Sequence, residues 1–336
     1  MSRKKIIIIL IVIIDLLLIW GFYSFKFAKN YPKNIDLVHK EDYFGVTFSK
    51  KFTEELGLEW KPLYTAILDE LEVKYIRIPI YWDDIEKTEG KFDFTDYDYI
   101  FDEGKKRDGV QFIANIGWRL PRWPECHAPR WLDEAETSAI QEKTLVMLEE
   151  VVNHYKGREE IVYWQVENEP LLDFFGKCPN GDYEFLQKEV ELVRKLDDRK
   201  IIVTASGELA TWDREAELGD LFGTTVYRVV WASWFGYSRY PLPASFYNWK
   251  ANMYKIPQEN RLIMELQLEP WVPNGNIIEI EAEEFNKSMN IDQFRANIQY
   301  AINMDFARTY VWGVEWWYYQ YKYGNGEYWE VAKGIF

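Results

Sequence analysis

IVYWQVENEP, Ile161 to Pro170, begins as a run rich in β-branched and aromatic residues and ends in two glutamates, an asparagine and a proline. A short, nearly continuous apolar run of this kind reads as a strand covered on both faces, as in a parallel sheet. The residue before a proline is steered away from helical angles, so Glu169 is expected to stay extended at the strand end. Period-two alternation places Glu167 on the same face as Glu169 and does not separate the two.

Seven other stretches read alike: YFGVTFS (43–49), KYIRIPI (74–80), VQFIANIG (110–117), KIIVTASGE (200–208), VYRVVWASW (226–234), RLIMELQLE (261–269) and RTYVWGVEWW (308–317). Between them lie segments with helical spacing, clearest in TSAIQEKTLVMLEEVVNHYK (137–156), where Ile140, Leu145, Leu148 and Val152 share a stripe. Eight such alternations predict an α/β fold, a (β/α)8 TIM barrel, with a short last unit because little chain remains after Trp317. No linker or low-complexity run breaks residues 42–336, which read as one domain. In such a barrel chemistry belongs at the C-terminal ends of the strands. That rule sets Glu169 at the rim. A partner carboxylate is then expected across the mouth, at the end of strand seven, where Glu265 and Glu169 would face each other and Glu269 stands as the alternative.

The 336 residues carry a formal net charge of −15, which argues against nucleic acid as a partner, since phosphates require Lys and Arg. Aromatic residues make up 18% of the chain and include 16 tryptophans, a content suited to stacking on the apolar faces of sugar rings. The three histidines, His39, His127 and His154, are scattered, so no metal site is expected.

The N-terminus differs from the rest. After SRKK comes IIIILIVIIDLLLIWGFYSF, about twenty residues with Asp15 as the one charge. A helix of that length at ~1.5 Å per residue matches the ~30 Å hydrocarbon core. Asp15 costs roughly 2.5–3.5 kcal/mol there, while each Ile, Leu or Val returns about 0.3–0.6 kcal/mol, so insertion wins. Residues 1–27 are therefore expected to be an N-terminal transmembrane signal-anchor and 28–41 a stalk. The domain would be membrane-anchored and extracytoplasmic, with secretion after cleavage as the alternative; FYSFKFAKN is a poor cleavage site.

The Asn168-Glu169-Pro170 end of strand four and a glutamate in strand seven resemble the clan A retaining glycoside hydrolases, the superfamily of cellulases, β-galactosidases and β-xylosidases. YIRIPIYWDDIEKTEGKFDFTDYDYIFDEGKKRDG looks like the second βα unit of its β-galactosidase- and β-xylosidase-like members. The resemblance runs from about Tyr43 to Trp317. It implies Glu169 as general acid/base and Glu265 as nucleophile, with Asn168 on the sugar 2-hydroxyl and Arg77 holding Glu265 ionised. It also implies a tyrosine after strand six against the nucleophile, Tyr237 or Tyr240, and a tryptophan flooring the sugar, Trp316 before Trp312. In the loop GWRLPRWPECHAPRW, Trp118, Trp123 and Trp131 are expected to wall the substrate, and His127 to bind its hydroxyls.

The activity expected is retaining cleavage of β-linked oligo- or polysaccharide without metal or organic cofactor and without an obligate protein partner. The alternatives are a non-catalytic glycan-binding barrel and a transglycosylase using the same pair. Cys126 follows strand three and Cys178 follows strand four, so their loops are neighbours on the rim and a disulfide is expected.

Overall fold

The computed structural model describes residues 10–19, 21, 35, 37, 40–273, 277–278 and 280–336. Eight parallel strands close into a barrel. They are β1 (Phe44–Thr47), β2 (Tyr75–Pro79), β3 (Gln111–Ile116), β4 (Ile161–Val166), β5 (Ile201–Ala205), β6 (Leu221–Val226), β7 (Arg261–Gln267) and β8 (Arg308–Trp312). Each pairs with its neighbours in chain order, and β1 closes on β8 through Phe44–Thr309, Gly45–Tyr310 and Val46–Val311.

Alternation along the strands builds the barrel interior in layers. Tyr75, Ile113, Tyr163 and Ile202 belong to its apolar floor, together with Leu221, Leu262, Met264 and Tyr310. Two residues further along β2, β3, β4 and β5 the same face carries Arg77, Asn115, Gln165 and Thr204, all with no exposed surface. One pleat thus converts an apolar layer into a polar one. The outward residues of the same strands, such as Ile76, Phe112, Trp164 and Val203, pack under the helices in the larger core.

Helices follow every strand, among them Trp60–Asp69, Thr95–Lys105, Thr137–Tyr155, Tyr183–Leu196, Ala244–Met253 and Ile291–Met304. Two of those named begin at side-chain caps: Asp182 accepts from the Phe185 amide and Asn290 from the Gln293 amide, satisfying otherwise orphaned donors. The last unit is not short. β8 stops at Trp312, and the residues read as its continuation begin the helix Val314–Lys322, followed by Glu327–Lys333. Gly313, with φ of 117°, makes the turn.

Strand six departs from the sequence reading. Its residues, LFGTTV, were masked by a glycine and two threonines where apolar residues mark the other strands. Small size is required there, because a Cβ on Gly223 would collide with Met264 and Thr204 in the barrel interior. The stretch 226–234 does form a strand over Val229–Ala232, but one paired antiparallel with Gly236–Arg239 in a hairpin outside the barrel.

The N-terminal anchor is corrected. Among the described residues no helix is long and apolar enough to cross a membrane. On that finding the membrane-anchored placement inferred from composition is withdrawn. Part of the expected anchor and most of the expected stalk lie outside the described residues.

Candidate active site

Arg77 is the centre of the polar layer. Its guanidinium is fully buried and donates to Gln165 Oε1 (2.7 Å), Asn115 Oδ1 (3.1 Å), Asn168 Oδ1 (2.8 Å), Met264 O and Glu265 Oε1 (both 3.2 Å). Five N–H donors meet five acceptors, so the side chain has one orientation available to it. Glu265 receives a second donor from the Tyr227 hydroxyl, which lies 2.8 Å from Oε2. A cation and a phenol thus converge on one carboxylate.

Glu169 is placed differently. Its Oε1 accepts from Thr225 Oγ1 (2.9 Å), its amide donates to Thr204 Oγ1 (2.9 Å), and it forms no ion pair among the described residues. Burial, and then the charge of Glu265, push its carboxyl up to about 8. Thr225 and the more distant Arg119 only partly offset this. Two carboxyls beside one another therefore differ in environment, one charge-compensated and one desolvated.

Glu167 has another occupation. Its two carboxylate oxygens accept the backbone amides of Trp118 (2.6 Å) and Arg119 (2.5 Å), and buried Glu189 hydrogen-bonds to it from the helix Tyr183–Leu196. It fastens the loop after β3 to the end of β4. Gly117, with φ of 142°, allows this, since a Cβ there would strike the Glu167 carboxylate. Neither glutamate is extended, although Pro170 suggested it for Glu169 and strand alternation for Glu167: φ is 59° at Glu167 and 46° at Glu169. Left-handed turns at both positions, with Asn168 between them, aim them at different partners.

A third carboxyl reaches the site. Glu125, 5% exposed, hydrogen-bonds to Asn168 and faces Glu265 and Glu169; burial and those two charges push it well above the usual carboxylate range. Its backbone is held by Leu120, whose amide donates to Glu125 O, and by the adjoining disulfide Cys126–Cys178, with Cα atoms 5.4 Å apart. Around the rim Trp123 meets Phe175 (6.3 Å between ring centres), Phe175 meets Trp271 (5.7 Å), and Trp271 meets Tyr227 (5.4 Å).

No protein-family model and no curated protein sequence matches the chain. Solved structures do match its course. A β-glucosidase from Exiguobacterium marinum aligns at a TM-score of 0.55 and 12% identity, over 82% of this chain and 89% of that one. A β-galactosidase from the Antarctic haloarchaeon Halorubrum lacusprofundi aligns at 0.50 and 14%, over 80% of this chain and 52% of that one. An FMN-binding β-glucuronidase from Facaelibacterium prausnitzii L2-6 aligns at 0.50 and 14%, over 80% and 37%. The chain thus spans about half the length of the haloarchaeal protein. The barrel is the one these β-glycosidases share. At such identities the likeness is one of fold, and the residues must argue the chemistry themselves.

Of the residues singled out from sequence, Arg77, Asn168, Glu169 and Glu265 come together at one end of the barrel, with Trp123 on the rim above them, 57% exposed. Three do not fit the expected roles. Tyr237 donates to Glu284 (2.6 Å) in the outer hairpin, and Tyr227 takes the place beside Glu265. The misplaced strand six caused that error, since Tyr227 directly follows the true β6. Trp316 is fully buried against Phe285 and Tyr328, because it sits on a helix after β8; Trp312 ends the strand instead. His127 is 2% exposed, with Nδ1 3.1 Å from Lys51 Nζ and Nε2 3.1 Å from Arg122 O. Burial and Lys51 bring it down to about 3, so it is a neutral loop brace with both nitrogens engaged. Glu125, Thr225 and Arg122 were not singled out; nothing local in their sequence distinguishes them from loop or strand residues.

Proposed function

We propose that the protein hydrolyses β-glycosidic bonds with retention, Glu169 serving as acid/base and Glu265 as nucleophile. The observation that carries this reading is the contrast between the two carboxyls: Arg77 and Tyr227 compensate Glu265, while Glu169 is desolvated and pushed up to about 8. A glycosidase needs two carboxyls in unlike environments, one as nucleophile and one as proton donor, and this asymmetry supports that division.

In the first step a Glu265 oxygen bonds to the anomeric carbon as the bond to the leaving oxygen breaks, and that oxygen takes the proton of Glu169. Glu169, now a carboxylate, then removes a proton from water. The water oxygen bonds to the anomeric carbon and releases Glu265 as a carboxylate. Tyr227 and Arg77 stabilise the charge of Glu265 before attack and after release. Asn168, oriented by Arg77 through its Oδ1, turns its amide N–H towards the sugar and the Glu125 carboxyl. Glu269 lies beyond the end of β7, where its Oε1 accepts from Arg122 (2.5 Å) and Trp312 Nε1 (2.8 Å).

The test is a screen of aryl β-glycosides and β-linked oligosaccharides with the wild-type chain, Glu169→Gln and Glu265→Gln. Activity is expected in the first and loss in both variants, with the product's anomeric configuration followed by NMR. Undiminished turnover in either variant overturns the assignment, and an inverted product overturns the two-step mechanism.

A further inference from the structure

The loop after β3 does not stay on its own side of the barrel. β3 and β7 are four strands apart in either direction around the closed barrel. Yet Arg122, with φ of 87°, donates Nη1 to Glu269 just beyond β7 (2.5 Å) and Nη2 to Glu315 beyond β8 (2.8 Å). Its guanidinium lies between the Phe52 ring (3.5 Å) and the Trp312 ring (3.9 Å). Pro121 O accepts from the Tyr81 hydroxyl (2.9 Å), which also meets Ser49 Oγ (2.9 Å). His127 contacts Lys51 through Nδ1 and accepts the Asp83 amide on its carbonyl (3.0 Å). The loop therefore rests on the segments following β1, β2, β7 and β8, half of the mouth.

Glu169 stands on the other half, tied to Thr204 of β5 and Thr225 of β6. A general acid must lie on the side where the leaving group departs. The glycone then lies under the loop, between Glu265 and the Arg122 bridge. Two carboxyl oxygens there, Glu125 Oε2 and Glu269 Oε2, are buried with no hydrogen-bond partner among the described residues; the residues are 5% and 9% exposed. Buried acceptors of this kind are costly unless a ligand donor meets them, and sugar hydroxyls are such donors.

We propose that the glycone site holds one terminal sugar residue, closed behind by the Arg122 bridge and read by Glu125 and Glu269, so that the protein trims β-linked chains from the non-reducing end. This rests on the hydrolase reading above. A through-going cleft, as internal cleavage requires, would need open surface where Arg122 joins Glu269 and Glu315.

The wild-type protein is given cello-, xylo- and β-1,4-galacto-pentaoses in two forms, free-ended and with the non-reducing terminal residue capped as its 4-O-methyl ether, and the products are sized over time. Release of monosaccharide alone from a free-ended chain, lost on capping, is the expected result. Cleavage of capped chains, or early release of di- and trisaccharides, overturns the closed glycone site and leaves hydrolysis standing. No turnover of any pentaose or aryl glycoside overturns the hydrolase reading and this inference with it.

Discussion

Arg77 Nη1 lies 3.2 Å from Glu265 Oε1, and the pair is buried in the barrel with side-chain exposures of 0% and 5%. Breaking a buried pair by removing one partner is costly, roughly 3–5 kcal/mol, because the remaining charge is left uncompensated. Arg77→Lys keeps the charge but cannot meet five acceptors spread over four segments. It is expected to lower kcat/KM by about 100-fold or more, and to lower the melting temperature as Gln165, Asn115 and Asn168 lose donors. Steady-state kinetics and calorimetry read both.

Tyr227→Phe removes one hydrogen bond to Glu265 and little volume. A bond to a charged acceptor contributes about 1.5–3 kcal/mol, so kcat/KM should fall roughly 10- to 100-fold with the fold intact. Tyr237→Phe loses the contact from the hairpin to Glu284, outside the barrel, and should leave the rate unchanged. Equal effects from the two would show that Tyr227 is not the phenol that matters.

The pH profile should carry the imprint of Glu169. As the acid it must be protonated, so kcat/KM is expected to decline as pH rises through about 8. Burial raises this value most, Glu265 and Glu208 raise it further, and Thr225 and Arg119 lower it. The same shift bears on stability. A carboxyl held above its unfolded value keeps its proton in the folded state while the unfolded chain releases it. Stability from this group is thus present below the ordinary carboxylate range and is lost as pH rises towards about 8. Glu169→Gln removes that loss. Its melting temperature relative to wild type should be higher at pH 8 than at pH 4, and a constant difference would contradict the buried, protonated state.

Glu167 should behave as structure. Glu167→Ala strands the Trp118 and Arg119 amides, and each buried unsatisfied donor costs about 1–3 kcal/mol. A marked drop in melting temperature is expected from it, whereas Glu169→Ala should abolish activity with a smaller change in stability. Thermal melts and assays of the two variants, side by side, separate the roles.

Cys126 and Cys178 close a loop with a sequence separation of 52, and removing such a link costs roughly 2–4 kcal/mol through the unfolded chain's entropy. Paired Cys→Ser substitution should lower the melting temperature. Because Cys126 follows Glu125 directly, KM should also rise. A change in stability with KM unmoved would detach Glu125 from the glycone.

Much of the architecture was legible because it is written locally. Apolar runs of strand length alternating with helical spacing announce a (β/α)8 barrel, and Arg77, Asn168, Glu169 and Glu265 stand at or near the ends of such runs. The alternation that turns Tyr75 into Arg77, Ile113 into Asn115 and Tyr163 into Gln165 is equally local. What stayed hidden depends on contacts between distant residues. Which tyrosine meets Glu265 follows from the limits of β6, a strand whose Gly223 fits against Met264 and Thr204 of distant segments.

The sequence by itself determined the barrel, the strands that bear the carboxyls and the cation between them, since strand and helix periodicity are properties of neighbouring residues. The resemblance favoured Glu169 over Glu167, and the tertiary structure gave the two their different partners, through left-handed turns and contacts to separate segments. It alone turned Trp316 into core and His127 into a brace. It alone carried Arg122 across the mouth to residues 147 and 193 positions away, because such a contact exists only after the barrel has closed.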